Sequence, residues 1–202
     1  MSRLILLNGP PGVGKSTVAR RFVADHPLAF CLDIDAVRRL LGHWQELPEE
    51  SGTLARRMAA AMAGEHLRAG HDVVVPQYLG RVAFIERLEQ VAVQAGSPFH
   101  ELVLMDTREN ALARFHARAE DPDLGRHHRE AVAMTAGGDA ELGEMYDRLV
   151  ALLEQRPRAQ VVRTTAGDVD GAYRAVMARL NPRPGGEEAP AECRARSVGG
   201  AG

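Results

Sequence analysis

Length, composition and charge already exclude several classes of protein. The 202 residues, 45% of them hydrophobic, fit one α/β domain with its own core rather than two full domains. The net charge of -2, with basic residues spread along the chain, is not typical of a non-specific nucleic-acid binder, so we expect no nucleic-acid partner.

The N-terminal part of the chain alternates between strand-like and helix-like runs. A short apolar run over residues 3–8 predicts a buried parallel strand, and a helix is expected after the glycine-rich segment that follows. A second apolar strand is expected over residues 28–32. A short helix over residues 36–41 and a loop over residues 44–51 come next.

The same alternation continues towards the C-terminus. Further strands are expected at residues 72–75, 100–105 and 159–163. Helices are expected at residues 53–69, 82–95, 108–119 and 168–180. A further long helical stretch ends near residue 155 and has a weak point at Gly137-Gly138. From residue 181 onward Pro, Gly, Glu and Arg dominate without periodicity, which predicts a disordered tail. Strands that alternate with helices predict right-handed βαβ units. We therefore expect an α/β domain over residues 1–180, with a five-stranded parallel sheet and helices on both faces.

The segment between the first strand and the first helix matches the phosphate-binding P-loop pattern. Its glycines allow backbone N–H groups to approach phosphate oxygens closely, and the following helix directs its positive dipole end at the same anion. In this pattern Lys15 reaches the β- and γ-phosphates, and the Ser16 hydroxyl ligates Mg²⁺. The nucleotide-binding residues expected here are Gly9, Gly12, Val13, Gly14, Lys15, Ser16 and Thr17.

The single lysine of the chain supports this assignment. Lysine and arginine together number 25, and Lys15 is the only lysine among them. A compact ammonium on a flexible stem fits between phosphates, and the planar guanidinium of arginine does not replace it there. The alternative is a codon bias that left one lysine by chance. Such a bias has little chance of leaving it at the lysine position of the motif.

Two carboxylates, Asp33 and Asp35, follow the second predicted strand. Ligands of open α/β sheets gather outside the carboxyl ends of the strands, and alternate residues of a strand face the same way. Phosphoryl transfer to a hydroxyl needs a carboxylate that accepts the proton and anions that hold Mg²⁺ through water. We predict Asp35 as the base and Asp33 in the Mg²⁺ shell. The alternative for Asp35 is the N-cap of the next helix. Arg38 either pins the acceptor or is solvated.

These motifs together resemble the small P-loop kinases. GPPGVGKST, LDIDAVRR and a late arginine-rich loop are similar to a set that includes shikimate and gluconate kinases, chloramphenicol phosphotransferase, zeta-toxin-like kinases and AAA-type predicted kinases. AFCLDIDAV resembles the strand of chloramphenicol phosphotransferase whose proposed base falls at Asp35 here. VVVPQYLGRVAFIERL and ELVLMDTRENALARFHARAED resemble the tunicamycin-resistance-protein group. The resemblance covers about residues 3–180 and implies a three-layer P-loop kinase fold with ATP and Mg²⁺ as cofactors.

One departure from the family pattern concerns the end of the third strand. Many P-loop kinases have an acidic residue there that holds Mg²⁺ water, whereas this chain reads Val75-Pro76-Gln77. We therefore give the metal to Asp33 and expect Gln77, Tyr78 and Arg81 to face the acceptor. The alternative is a plain turn at the end of a strand. Trp44, the only tryptophan, either stacks on an acceptor ring or covers the core.

The resemblance also implies a lid, over about residues 119–130, that closes over ATP and excludes water. Arg114 and Arg118 lie one helical turn apart, and Arg126 follows in the polar loop. We predict that Arg114 and Arg118 bind the nucleotide and that Arg118 and Arg126 stabilise the transferring phosphoryl group. The alternative is a solvated helix and loop.

The link between the fifth strand and the last helix is the last candidate segment. In small kinases this link borders adenine, which places Gly167 at the nucleotide, whereas Asp168 alternatively only caps the helix.

The leading hypothesis is an ATP-dependent phosphotransferase that acts on a hydroxyl of a small molecule such as an antibiotic, nucleoside or sugar. Two alternatives stay open: a nucleotide-dependent protein that sequesters a drug without modifying it, and a zeta-toxin-like kinase of a nucleotide-sugar. With no apolar run of membrane-spanning length and no signal peptide, we expect a cytoplasmic protein without a membrane partner. Its oligomeric state stays open.

Overall fold

Helices and strands alternate along the chain as expected. The structure is a computed structural model that describes residues 1–119 and 138–182, without the side chains of residues 118 and 119. In chain order the elements are β1 (Leu4–Asn8), α1 (Lys15–Asp25), β2 (Phe30–Cys31), α2 (Ile34–Arg39), α3 (Pro48–Arg68), β3 (Val73–Pro76), α4 (Val82–Gln94), β4 (Phe99–Met105), α5 (Arg108–Ala119), α6 (Gly138–Gln155), β5 (Gln160–Arg163) and α7 (Val169–Leu180).

The five strands form one sheet in the order β2-β3-β1-β4-β5, and each neighbouring pair is parallel. All five residues of β1 are buried, so the strand that leads into the P-loop lies at the centre of the sheet. Leu4 and Leu6 join a core with residues of α3, α4 and α6, while Ile5 and Leu7 join a second core with residues of α1 and α7. Helices therefore cover both faces, and the expected α/β sheet is confirmed.

Two elements differ from the expected boundaries. β2 covers only Phe30–Cys31, which is shorter than the expected strand over residues 28–32. Leu28 has a positive φ of 59°, which is not an extended conformation, and its side chain is exposed. α3 begins at Pro48, so the second half of the expected loop over residues 44–51 is helical. Proline suits the first position of a helix, where its missing N–H costs nothing. Two acidic residues in the first turn complement the helix dipole.

A buried ion-pair network links three elements away from the P-loop. The guanidinium of Arg156 donates to Glu101 on β4 and to Glu89 on α4, each at 2.8 Å. Glu101 is buried, and burial raises the pKa of its carboxyl group although the Arg156 hydrogen bond opposes that shift. The network therefore stabilises the packing of α4 on the sheet only while Arg156 compensates the buried charge.

Some expectations fall outside the described residues. Of the lid expected over residues 119–130, the structure describes only the backbone of residue 119. Of the expected tail, it describes only Asn181 and Pro182. Asn181 accepts a hydrogen bond of 3.2 Å from Arg3. Within the described residues, none of the helices combines the length and the apolar composition that a membrane span requires.

Candidate active site

The P-loop is built at the junction of β1 and α1. Gly14 is the N-cap of α1 with φ of 102°, and Gly12 has φ of 84°, so both need the left-handed region that glycine tolerates. A Cβ at Gly12 would lie 3.1 Å from the backbone of Phe115, whereas a Cβ at Gly14 would meet no atom of the described part of the chain within 4 Å. Within residues 1–119 and 138–182 no side chain caps α1, and the first turn of this helix holds no acidic residue. This arrangement leaves the positive end of the helix for an anion.

Lys15 and Ser16 open α1. The Nζ atom of Lys15 donates hydrogen bonds to the carbonyl oxygens of Gly9 at 2.8 Å and Pro10 at 2.9 Å, which holds the ammonium over the loop. Ser16 is exposed in the first turn, so its hydroxyl is accessible to a ligand. The side chain of Val13 is buried in the core, so only its backbone can contact a nucleotide.

A cleft beside the P-loop brings together predicted residues that are far apart in sequence. It encloses about 410 Å³, including open solvent, between the P-loop, α5 and the link from β5 to α7. Its wall includes Gly12, Gly14, Thr17, Arg114, Thr164 and Gly167. Arg114 forms an ion pair with Asp106, and both side chains are largely buried. Asp106, which the sequence did not single out, therefore fixes the position of this arginine.

Asp168 lines the same cleft but has a structural task. Its carboxylate accepts a hydrogen bond of 2.7 Å from the N–H of Gly171 and caps α7. Of the two interpretations given for this residue, the structure shows the cap.

Asn8 ties the P-loop to the segment that follows β3. Its side chain is fully buried, and Oδ1 accepts hydrogen bonds from the N–H groups of Gly9 at 2.8 Å and Leu79 at 2.9 Å. Nδ2 donates to the carbonyl of Leu79 at 3.0 Å. The sequence signal for this role is a polar residue at the end of an apolar strand, because such a residue needs hydrogen-bond partners when it is buried.

The structure separates the tasks of the two aspartates. Asp33 Oδ1 accepts from the N–H of Ala36 at 3.0 Å and caps α2, so the alternative that Asp35 is the cap is wrong. The cap falls on Asp33 because α2 begins at Ile34, earlier than expected. Asp35 is exposed in the first turn, and its Oδ2 accepts a hydrogen bond of 3.1 Å from Gln77 Nε2. The metal-binding role of Asp33 and the role of Asp35 as a base stay predictions.

Arg38 and Trp44 connect α2 to the start of α3. Arg38 donates to the Ser51 hydroxyl at 2.9 Å and to the Pro48 carbonyl at 2.8 Å. Its guanidinium carbon lies 5.2 Å from the centre of the Trp44 ring, within cation–π range. Neither expected alternative for Arg38, acceptor binding or free solvation, describes these contacts. Contact of Arg38 or Trp44 with an acceptor stays a prediction.

Tyr78 and Arg81 lie on the segment between β3 and α4. The Tyr78 hydroxyl donates to the Met145 carbonyl on α6 at 3.0 Å, and burial raises the pKa of this phenol. Arg81 is exposed at the N-cap of α4. The structure thus commits the Tyr78 hydroxyl to α6, and acceptor contact by either residue stays a prediction.

Comparison with protein-family models decides the family. The model described as AAA domain matches residues 4–137, which is more than half of the chain. The chain belongs to the AAA domain family. No curated protein matches this AAA domain chain by sequence.

Two solved structures share the architecture of this AAA domain chain at low sequence identity. A gluconokinase from Sinorhizobium meliloti 1021 aligns with a TM-score of 0.57 and 18% identity, over 89% of this chain and 91% of its own. The tunicamycin resistance protein of Deinococcus radiodurans aligns with a TM-score of 0.58 and 19% identity, over 89% of this chain and 96% of its own. Such likeness concerns the fold, and it confirms the expected P-loop kinase fold for this member of the AAA domain family.

Two predicted arginines of this AAA domain chain are not placed by the structure. The structure describes neither Arg126 nor the side chain of Arg118. Their roles at the transferring phosphoryl group stay predictions.

Proposed function

We propose that the protein transfers the γ-phosphoryl group of ATP to a hydroxyl group of a small molecule. The observation that carries this proposal is that three neighbouring parallel strands end at the same edge of the sheet. The P-loop follows β1, Gln77 follows β3 and Asp35 lies in the first turn of the helix after β2, and these strands are adjacent in the order β2-β3-β1. The P-loop and the Asp35 carboxylate therefore lie at the same end of the sheet, where ligands of such sheets bind, and this supports the proposal.

In this proposal the residues of the site have separate tasks. Lys15 and the P-loop amides hold the β- and γ-phosphates, and Asp35 accepts the proton of the acceptor hydroxyl. As the new bond forms between the acceptor oxygen and the γ-phosphorus, the bond to the ADP oxygen breaks and its electron pair stays with ADP. Arg118 and Arg126 stabilise the charge on the transferring group.

The residues at the P-loop also fit a magnesium ion. The exposed Ser16 hydroxyl and the Asp33 carboxylate are hard oxygen ligands of the type that Mg²⁺ prefers. When bound, Mg²⁺ neutralises charge on the phosphate oxygens. Asp33 Oδ1 is committed to the α2 cap, so we assign Oδ2 to the metal, through water.

We place antibiotics first among the acceptors, followed by nucleosides and sugars, including nucleotide-sugars. The likeness to the tunicamycin resistance protein supports this order. ATP is abundant in the cytoplasm, where we propose that the protein acts. The second candidate function is nucleotide-dependent sequestration of a drug without phosphoryl transfer. The absence of an acidic residue in the Pro76-Gln77 pair at the end of β3 favours this candidate.

One assay separates transfer from sequestration. The protein is incubated with Mg²⁺, γ-labelled ATP and a panel of antibiotics, nucleosides, sugars and nucleotide-sugars, and label on the acceptor is measured. We expect transfer by the unmodified protein and a loss of at least about a hundredfold in Asp35→Asn, because the general base is removed. Asp170→Asn, at an exposed aspartate on α7, is the matched control and should transfer normally. Tight binding of a panel member without any transfer would replace the kinase by the sequestering protein.

A further inference from the structure

Gln77 occupies the position where the family pattern has an acidic residue, and its side chain contacts Asp35. We propose that Gln77 is a positioning residue that orients Asp35 for proton abstraction, and that the pair selects acceptors with a hydrogen-bond donor beside the reacting hydroxyl. This inference rests on the proposed function. Its starting observation is the 3.1 Å hydrogen bond from Gln77 Nε2 to Asp35 Oδ2, between residues 42 positions apart.

The backbone that carries Gln77 is fixed on the side of the P-loop. The Gln77 N–H donates to the carbonyl oxygens of Leu7 and Val75, each at 3.2 Å. Two residues later, both backbone polar groups of Leu79 are hydrogen-bonded to the buried side chain of Asn8. Gln77 therefore reaches Asp35 from a segment attached to the central strand, so its amide can hold the carboxylate in one orientation relative to the P-loop.

The chemistry of the two groups decides which atoms remain for an acceptor. An ionised carboxylate only accepts hydrogen bonds, so the amide must present its NH₂ group to Asp35 and keeps Oε1 for another donor. Among the described residues, no hydrogen bond reaches Asp35 Oδ1. The pair thus offers two acceptor atoms, Asp35 Oδ1 and Gln77 Oε1. The hydroxyl to be phosphorylated donates to Oδ1, and a neighbouring hydroxyl or amine donates to Oε1.

The same reasoning defines the molecules that the pair disfavours. A carboxylate or phosphate beside the reacting hydroxyl would lie next to Gln77 Oε1 and the negative charge of Asp35, and both repel it. A glutamate in place of Gln77 would likewise set two like charges against each other. We therefore assign the acceptor to neutral polyhydroxyl compounds or amino-alcohols, rather than to hydroxy acids that carry the carboxylate next to the reacting hydroxyl.

The test compares Gln77→Ala and Gln77→Glu with Gln94→Ala, a control at an exposed glutamine on α4. For each protein, kcat and KM are measured for ATP and for three acceptor classes: nucleosides and neutral glycosides, aminoglycosides, and 2-hydroxy acids. We expect the unmodified protein to use the first two classes. Gln77→Ala should lower kcat about tenfold, with KM for ATP and the melting temperature unchanged. Gln77→Glu should shift the ratio of aminoglycoside to neutral-glycoside turnover about tenfold towards the cationic acceptors, because the added charge attracts an ammonium group.

Three results would overturn the inference while the proposed function stands. These are a Gln77→Ala protein that behaves like Gln94→Ala, a rise in KM for ATP that accounts for the whole loss of activity, and a preference of the unmodified protein for 2-hydroxy acids. If the unmodified protein transfers label neither to these classes nor to any member of the wider panel used for the proposed function, the proposed function fails and the inference falls with it. The two failures are distinguished by the unmodified protein alone.

Discussion

Replacing Asn8 by alanine removes a buried side chain that joins the P-loop to the segment after β3. The change deletes three hydrogen bonds and leaves the buried N–H of Gly9 and the partly buried N–H and carbonyl of Leu79 without those partners. Each buried polar group left unpaired costs about 1–3 kcal/mol. If the site relaxes enough for one of the three groups to find water, two groups stay unpaired and the loss in the free energy of unfolding is about 2–6 kcal/mol.

Equilibrium unfolding in urea measures this loss, because a small single domain of this type is expected to unfold in one cooperative step. Asn181→Ala is the matched control, since Asn181 is exposed and its hydrogen bond to Arg3 lies at the surface. The control should lose less than about 1 kcal/mol. A decrease below about 1 kcal/mol in Asn8→Ala would show that the three hydrogen bonds do not hold the two segments together, and the reasoning would be refuted.

Two further predictions concern Lys15 and Glu101. Lys15→Ala should abolish nucleotide-dependent transfer and leave the melting temperature unchanged. The control Arg174→Ala, on α7, should keep full activity. Full activity in Lys15→Ala would show that the P-loop assignment is wrong. Burial raises the pKa of Glu101 in the folded state, so the folded protein binds its proton more tightly than the unfolded chain does. The stabilising contribution is therefore present below the ordinary carboxyl pKa and is lost as pH rises through the raised value. At pH values above the raised pKa of Glu101, Arg156→Ala should lower the free energy of unfolding by about 3–5 kcal/mol. Urea unfolding at several pH values measures this loss. An equal loss at all pH values would contradict the assignment to Glu101.

Local sequence patterns were sufficient for the sheet but not for every boundary. The apolar runs predicted all five strands, because buried parallel strands need continuous hydrophobic sequence. The sheet order β2-β3-β1-β4-β5 was not predictable in this way, since it depends on how the crossover helices pack. Pro48 is compatible both with a loop and with the first position of a helix, and α3 begins there.

The candidate site shows the same limit. The P-loop is one contiguous segment, so its residues could be predicted from their spacing alone. Asp35 and Gln77 are 42 positions apart, and Asn8 and Leu79 are 71 apart, so their contacts arise only when β2, β3 and β1 become neighbours. The contacts of Arg38 with Ser51, Pro48 and Trp44 likewise arise only from tertiary packing, and its contact with an acceptor stays a prediction.

The isolation of one ammonium group makes the P-loop chemically addressable. Lys15 carries the only side-chain amine of the 202 residues, and two backbone carbonyls keep that amine at the mouth of the loop. An acylating reagent that modifies a lysine in this protein can therefore modify only the proposed phosphate site. The extent of labelling of the peptide that contains Lys15, read by mass spectrometry after proteolysis so that the N-terminal amine is counted separately, would then report how much of that site a competing polyphosphate shields.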